Sequence, residues 1–268
     1  MRKLNLAFFI VLLVCALSAC GAVKKESAGS SGAKDMPYDL VHADTFTFAA
    51  SGEFKPFSYV GSDGKMRGFD IAVGNEIAKE LGLKPAQEQY KFSAIVEGVK
   101  TGRFDAAVAS HTITPERAKS VDFSDPYYYS GAQIFVRTDS HIEKLTDLKG
   151  KEIGLSKGST YTSFAEKVTD KIKTYDSDVV ALQALEKGHH DAVITDFLTG
   201  KEAISNGLKI EGKELIDRSE QAVAVSKDNP ELLEAVNKAL KKMRENGKLK
   251  ELSEKYFDAD ITELPEKD

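Results

Sequence analysis

Val99-Lys100-Thr101-Gly102-Arg103-Phe104-Asp105-Ala106-Ala107-Val108-Ala109-Ser110 returns in altered form as Leu185-Glu186-Lys187-Gly188-His189-His190-Asp191-Ala192-Val193-Ile194-Thr195-Asp196. Each stretch reads as the end of a helix, a Gly stop, and a short apolar strand running into a polar residue. Ligands of open α/β sheets lie just beyond the carboxyl ends of such strands. The first copy leads within a turn to Arg117, and the second ends at Asp196. Two similar lobes would offer a cation from one side and an anion from the other. A zwitterion between them is the guest this pairing suits.

The flanking sequence extends the same pattern. Residues 45–50 read as a first strand, residues 51–57 as a loop off its end, and Asp63-Gly64 as a hairpin turn. Asp70 is placed to cap a helix with Val73, Ile77 and Leu81 on one face, stopped at Gly82. Ser93 starts the next helix. Thr114-Pro115 fits an N-cap followed by proline, with Arg117 in the first turn. A second alternating stretch begins near Ile134: a strand at residues 153–155, a Gly158-Ser159-Thr160 loop into a helix, and a further helix ending at Gly188. Residues 222–225 form another strand, Asn229-Pro230 opens a long helix, and Gly247 separates it from a last one. Alternating strands and helices imply βαβ units and a largely parallel sheet. The chain is expected to leave its first lobe near Ser130 and return near Ala222, and two crossings make a hinge.

The first residues have another character. Arg2 and Lys3 precede an apolar run from Leu6 to Leu17, followed by Ser18-Ala19-Cys20-Gly21. A basic start, a short apolar run and small residues describe an export signal over residues 1–19, too short for a stable span. Leu17-Ser18-Ala19-Cys20 resembles the bacterial lipobox, in which the cysteine is lipidated. Cys20 would then be the mature chain's only cysteine, because Cys15 lies in the signal, so internal disulfides and cysteine-based metal sites are excluded. Removing Arg2 and Lys3 takes the formal charge from −5 to about −7, which argues against a nucleic-acid partner. Residues 20–44, rich in Gly, Ser, Ala and Lys, read as a flexible tether. The divisions expected after it are residues 45–131 for lobe 1, 132–221 for lobe 2, and 222–268 for the return to lobe 1 and the C-terminal helices.

Individual residues admit two roles each. Arg117 beside Ser110 and Thr112 suits a bidentate grip on a carboxylate, or a surface pair with Glu116 or Asp122. Asp196 suits an ammonium site or an ordinary helix N-cap. Phe54, Phe57, Tyr59 and Phe92 offer aromatic walls, although Phe57 after Pro56 reads as core and Tyr127, Tyr128 and Tyr129 as hinge packing. Gly158-Ser159-Thr160 offers amides and hydroxyls to a carboxylate but lacks the Lys and spacing of a phosphate loop. No His-Glu-x-x-His pair or Gly-x-Ser-x-Gly elbow is present, and adjacent His189 and His190 point apart, so no metal or cofactor is expected.

Pro56-Phe57, Gly64-Lys65-Met66-Arg67-Gly68-Phe69-Asp70, Gly102-Arg103-Phe104-Asp105, Ile113-Thr114-Pro115-Glu116-Arg117 and Phe123-Ser124-Asp125-Pro126-Tyr127 together resemble the family 3 extracellular solute-binding proteins. These serve polar amino-acid ABC importers. Asp147-Leu148-Lys149-Gly150-Lys151, Gly158-Ser159 and Lys187-Gly188-x-x-Asp191 carry the resemblance over essentially all of residues 45–257. It implies a periplasmic-binding-protein type II architecture, two α/β lobes joined by two hinge strands. It implies that Arg117 grips the ligand α-carboxylate, with Ser110, Thr112, Ser159 and Thr160 assisting, and that Asp196 takes the α-ammonium. Phe54 and Phe92 would sandwich the side chain, whose far end lies near Ser51 and Ser156. Binders of basic amino acids in the family typically carry an acid where this chain has Ser51, so a neutral polar or sulfur-containing ligand is expected, glutamine or cystine foremost. The partners implied are an ABC permease with its ATPase, and the membrane through the N-terminal lipid, on the extracytoplasmic face of the cell membrane, with a monomer expected. Two other classes stay open: an enzyme resembling cyclohexadienyl dehydratases, using Glu53 or His111, and a ligand sensor.

Overall fold

The computed structural model describes residues 36–264. Its first half runs through β1 (Thr45–Ala50), β2 (Glu53–Phe54), β3 (Ser58–Val60), β4 (Met66–Arg67), α1 (Phe69–Leu81), β5 (Lys84–Gln89), α2 (Phe92–Lys100) and β6 (Ala106–Thr112). A 3₁₀ turn, Arg117–Lys119, leads into β7 (Val121–Arg137). The second half holds β8 (Ile153–Ser156), α3 (Thr162–Ala165), β9 (Ile172–Tyr175), α4 (Asp178–Glu186), β10 (Ala192–Asp196) and α5 (Phe197–Ser205). The chain returns along β11 (Ile210–Ser226) and ends in α6 (Pro230–Glu245) and α7 (Lys248–Phe257).

These strands form one sheet in the order β5-β1-β6-β11-β7-β10-β8-β9, beside a small β2-β3-β4 sheet. β5, β1 and β6 are parallel, as are β10, β8 and β9. The two long strands β7 and β11 pair antiparallel from Val121–Ser226 to Arg137–Ile210. β6 joins β11 along residues 221–225, whereas β10 joins β7 along residues 132–136. One end of the ribbon therefore belongs to each lobe, and its middle, where Gly131 faces Arg218, belongs to neither outer set. A side chain at Gly131 would overlap the Asp217 carbonyl, so the two strands cross as closely as backbone allows. This is a type II binding-protein architecture, as the motifs imply.

Separate cores explain why the halves are distinct bodies. Phe46, Phe48, Phe57, Phe69, Tyr127 and Tyr128 belong to one apolar cluster. In the other half Ile134, Ile153 and Ile194 pack on one sheet face, while Phe135, Leu182 and Val193 pack on the opposite face. Alternation along β7 and β10 sends neighbouring side chains to opposite sides. The repeated phrase folds alike in both halves. Gly102 (φ 70°) follows α2 and Gly188 (φ 78°) follows α4, each turning the chain toward β6 or β10.

Several local expectations are corrected. Asp70 caps nothing: Gly68 occupies the N-cap of α1, and the Asp70 side chain is fully buried. Thr114-Pro115 starts only the 3₁₀ turn, because the chain must re-enter the sheet at Val121. The strand at residues 222–225 is the end of the much longer β11. Residues 36–44, expected as tether, pack onto the first lobe: Tyr38 is buried and the Val41 N–H donates to Asp105 at 2.7 Å. The signal over residues 1–19 and Cys20 lie outside the described residues. Among the described residues no helix is long and apolar enough to cross a membrane, and no cluster of metal-ligating side chains occurs.

Candidate functional site

The strand ends of both lobes converge on a narrow cavity. Ser51 follows β1, Ser110 and Thr112 end β6, Ser156 ends β8, and Ser159 and Thr160 lie in the next loop. Phe54, Phe92 and Arg117 complete the set, so every residue expected from sequence lines the cavity except Asp196. The lobes touch around it. An Arg117 Nη donates to the Gly158 carbonyl at 3.1 Å, and Lys55 pairs with Glu202 at 2.8 Å.

Arg117 stands on the 3₁₀ turn, where its N–H donates to Thr114 Oγ1 at 3.2 Å. Its guanidinium donates to the Thr112 carbonyl at 2.9 Å and lies 5.6 Å from the Phe92 ring centre. Burial lowers its pKa to about 10, an uncommon displacement for a guanidinium. Among the described residues no carboxylate pairs with it. A buried cation without a counter-ion is costly, and the cost is removed when a ligand anion arrives.

Behind Phe92 lies His111, stacked on it at 4.6 Å and only 1% exposed. Burial, with the Arg117 charge beside it, pushes this imidazole well below its ordinary value, so it is neutral. Ser110 adopts a left-handed backbone (φ 57°), unusual for a residue other than glycine. A buried network imposes that geometry. The Ser110 hydroxyl donates to Asp70 at 2.7 Å, the Ser110 N–H donates to Tyr127 Oη at 3.0 Å, and the Tyr127 hydroxyl donates to Asp70 at 2.6 Å. Asp70, raised to about 7 by burial, thus holds the kink from beneath.

The acidic side differs from its sequence expectation. Asp196 is 1% exposed and caps α5, its Oδ1 accepting the Leu198 N–H at 2.8 Å. The buried carboxylate lining the cavity is Asp178, in the first turn of α4. Asp178 accepts a hydrogen bond from Thr195 Oγ1 at 2.7 Å, so β10 still supports the acidic wall. Burial raises Asp178 to about 6 and Asp196 to about 7, with Asp178 adding to the shift of Asp196. Neither joins an ion pair among the described residues. Glu53, Tyr161, Asp176 and Ser177 also line the cavity. The turn Asp176-Ser177-Asp178 follows a strand and opens a helix, the same signal that singled out Asp196.

A deep guanidinium thus faces buried carboxylates across a gap walled by Phe54 and Phe92. This arrangement suits opposite charges held a few bonds apart. Residues 46–259 match bacterial extracellular solute-binding proteins, family 3. The chain is 35% identical over 225 residues to the L-cystine-binding protein TcyJ of Escherichia coli (strain K12), covering 81% of this chain and 84% of that one. It is 31% identical over 272 residues to the L-cystine-binding protein TcyA of Bacillus subtilis (strain 168), covering 98% of this chain and all of the other. A solved ancestral arginine-binding protein bound to glutamine superposes with a TM-score of 0.77 at 36% identity, over 81% of this chain and 100% of that one.

Proposed function

This chain belongs to the bacterial extracellular solute-binding proteins of family 3, and on that footing we propose that it closes on a polar L-amino acid and delivers it to an ABC import permease. One observation carries the reading: half-buried Arg117 and buried Asp178 line the same cavity, and among the described residues neither has an ionic partner of its own. Arg117 holds the α-carboxylate, with Thr112, Ser159 and Thr160 completing its shell. Asp178 and, behind it, Asp196 receive the α-ammonium. Phe54 and Phe92 flank the side chain, which extends toward Ser51 and Ser156.

Because the charges stand on opposite lobes, the ligand binds the closed form selectively and shifts the population toward it. The absence of a fixed acid at Ser51 favours a neutral polar or sulfur-containing side chain, glutamine or cystine. Cystine agrees with the names of two relatives, while glutamine agrees with the ligand of the ancestral structure. The dehydratase-like alternative needs a poised base. His111 is neutral beneath Phe92, and Glu53 is exposed and hydrogen-bonds through its backbone only, so binding without chemistry is the better reading.

Export under the signal at residues 1–19, lipidation at Cys20 and the tether over the following residues would hold a monomeric receptor at the outer face of the cell membrane. Cys20→Ser should abolish labelling by a lipid precursor, and unchanged labelling would refute the anchor. For the ligand, a thermal-shift screen of the twenty amino acids and cystine should raise the melting temperature with one neutral polar or sulfur-containing member. A shift with prephenate and with no amino acid would favour the enzyme.

A further inference from the structure

A second, solvent-open chamber adjoins the first and shares its Ser51, Glu53, Phe92 and Asp176 walls, of which Glu53 and Asp176 are exposed. Its other walls carry Lys91, at the N-cap of α2, and Lys157, directly after β8. Both lobes therefore contribute one of its lysines, and both contribute one of its carboxylates. None of these four side chains joins an ion pair among the described residues, although sixteen other pairs form.

The mixture of signs decides what such a chamber accepts. A guanidinium or ammonium side chain would meet Glu53 and Asp176 but also two lysines. A simple carboxylate side chain would meet the reverse conflict. A group carrying both charges meets neither. Phe92 borders both chambers, so the segment joining two such groups passes an aromatic face, where an apolar or sulfur-containing linker loses little.

We propose that the second chamber receives the far head of a double-headed amino acid, one with an α-ammonium and an α-carboxylate at each end of a short linker. Lys91 and Lys157 face the second carboxylate, and Glu53 and Asp176 face the second ammonium. This rests on the amino-acid reading of the first cavity and specifies its substrate class.

Calorimetry with three probes separates the two claims. L-Cystine has both heads, the mixed disulfide of L-cysteine with cysteamine lacks the second carboxylate, and S-methyl-L-cysteine lacks the second head. The wild-type protein should bind L-cystine about threefold to tenfold tighter than S-methyl-L-cysteine, as two exposed ion pairs allow. Lys91→Ala with Lys157→Ala should remove most of that advantage and leave the other two probes within about twofold, since single exposed charges contribute little. Melting curves check that both lysine variants fold. Equal wild-type affinity for L-cystine and S-methyl-L-cysteine would overturn the second chamber while leaving the first reading intact. Uniform weakening of all three probes, or no weakening of any, would also overturn it. Failure of the wild type to bind any of the probes or other amino acids would remove the reading beneath it.

Discussion

The two copies of the repeated phrase make the same strand and end differently. β6 runs into a left-handed kink at Ser110 and a loose 3₁₀ turn, so the residues beyond it open into the cavity and carry Arg117 with them. β10 runs without a break into α5, and the helix claims the Asp196 carboxylate for the Leu198 N–H. The buried acid that lines the cavity comes from the preceding strand–helix turn, at Asp178, steadied by Thr195 of the second copy. The turn or helix that follows a strand thus decides whether its last residue stands in the cavity wall or is buried outside it.

The largest test of this contrast is Arg117→Ala. It should leave a ligand carboxylate desolvated without a partner and cost roughly 2–5 kcal/mol of binding, with the far-UV spectrum and melting cooperativity retained. Loss of folding instead would make Arg117 structural and erase the difference between the copies.

Next come the acids. Asp178→Asn and Asp196→Asn should each weaken amino-acid binding by roughly 1–3 kcal/mol, by removing a charge while keeping shape. Asp196→Asn should preserve the melting temperature, because asparagine caps helices nearly as well. If Asp178→Asn binds like the wild type, the ammonium is held by Asp196 alone and the two copies are functionally alike.

Acid titration sharpens the same point. Asp178 is raised to about 6, so below that pH the ligand-free protein carries its proton, which an arriving ammonium must displace. Affinity should fall as pH drops through 6, with proton release on binding, and Asp178→Asn should flatten the slope. Stability runs the other way. A carboxyl raised in the folded state binds protons more tightly there than unfolded, so its contribution declines as pH rises from about 4 to about 6 and is constant outside that window. The difference in melting temperature between the wild type and Asp178→Asn should track that course, and a pH-independent difference would contradict it.

The smallest effect is expected at Ser110→Gly. Glycine accepts the left-handed backbone without strain, while the bond to Asp70 is lost, and the opposed terms leave stability within about 1 kcal/mol. Binding should weaken less than about fivefold, a shift of under ~1 kcal/mol. A larger loss would show that the Ser110 hydroxyl reaches the ligand despite its engagement with Asp70.

The alternation of strand and helix, the Gly stops at Gly102 and Gly188 and the apolar strands between them are local signals, and they disclosed the two-lobed sheet. They also disclosed nine of the lining residues, because strand ends, aromatics and the Thr114–Arg117 turn announce themselves by type and order. Asp70 and Asp178 were not legible. Asp70 looks like a cap until its distant partners Ser110 and Tyr127 are brought beneath the kink, some forty and fifty-seven positions along the chain. Asp178 reads as one acid among several at a helix start, and only burial against Thr195 separates it from Asp176. The length of β11 was hidden because its middle, residues 211–220, is mostly polar and half exposed, as a hinge between lobes must be.

The central claim is that the unpaired charges of the cleft require both charges of one amino-acid head. Titrating the wild-type protein with L-glutamine, with its α-carboxamide and with its des-amino analogue tests this most directly, with the same series built on L-cystine if glutamine does not bind. The expected result is measurable affinity for the parent amino acid and a loss of at least about a hundredfold for both analogues, because each leaves one buried charge without its partner. Native affinity for either analogue would contradict it.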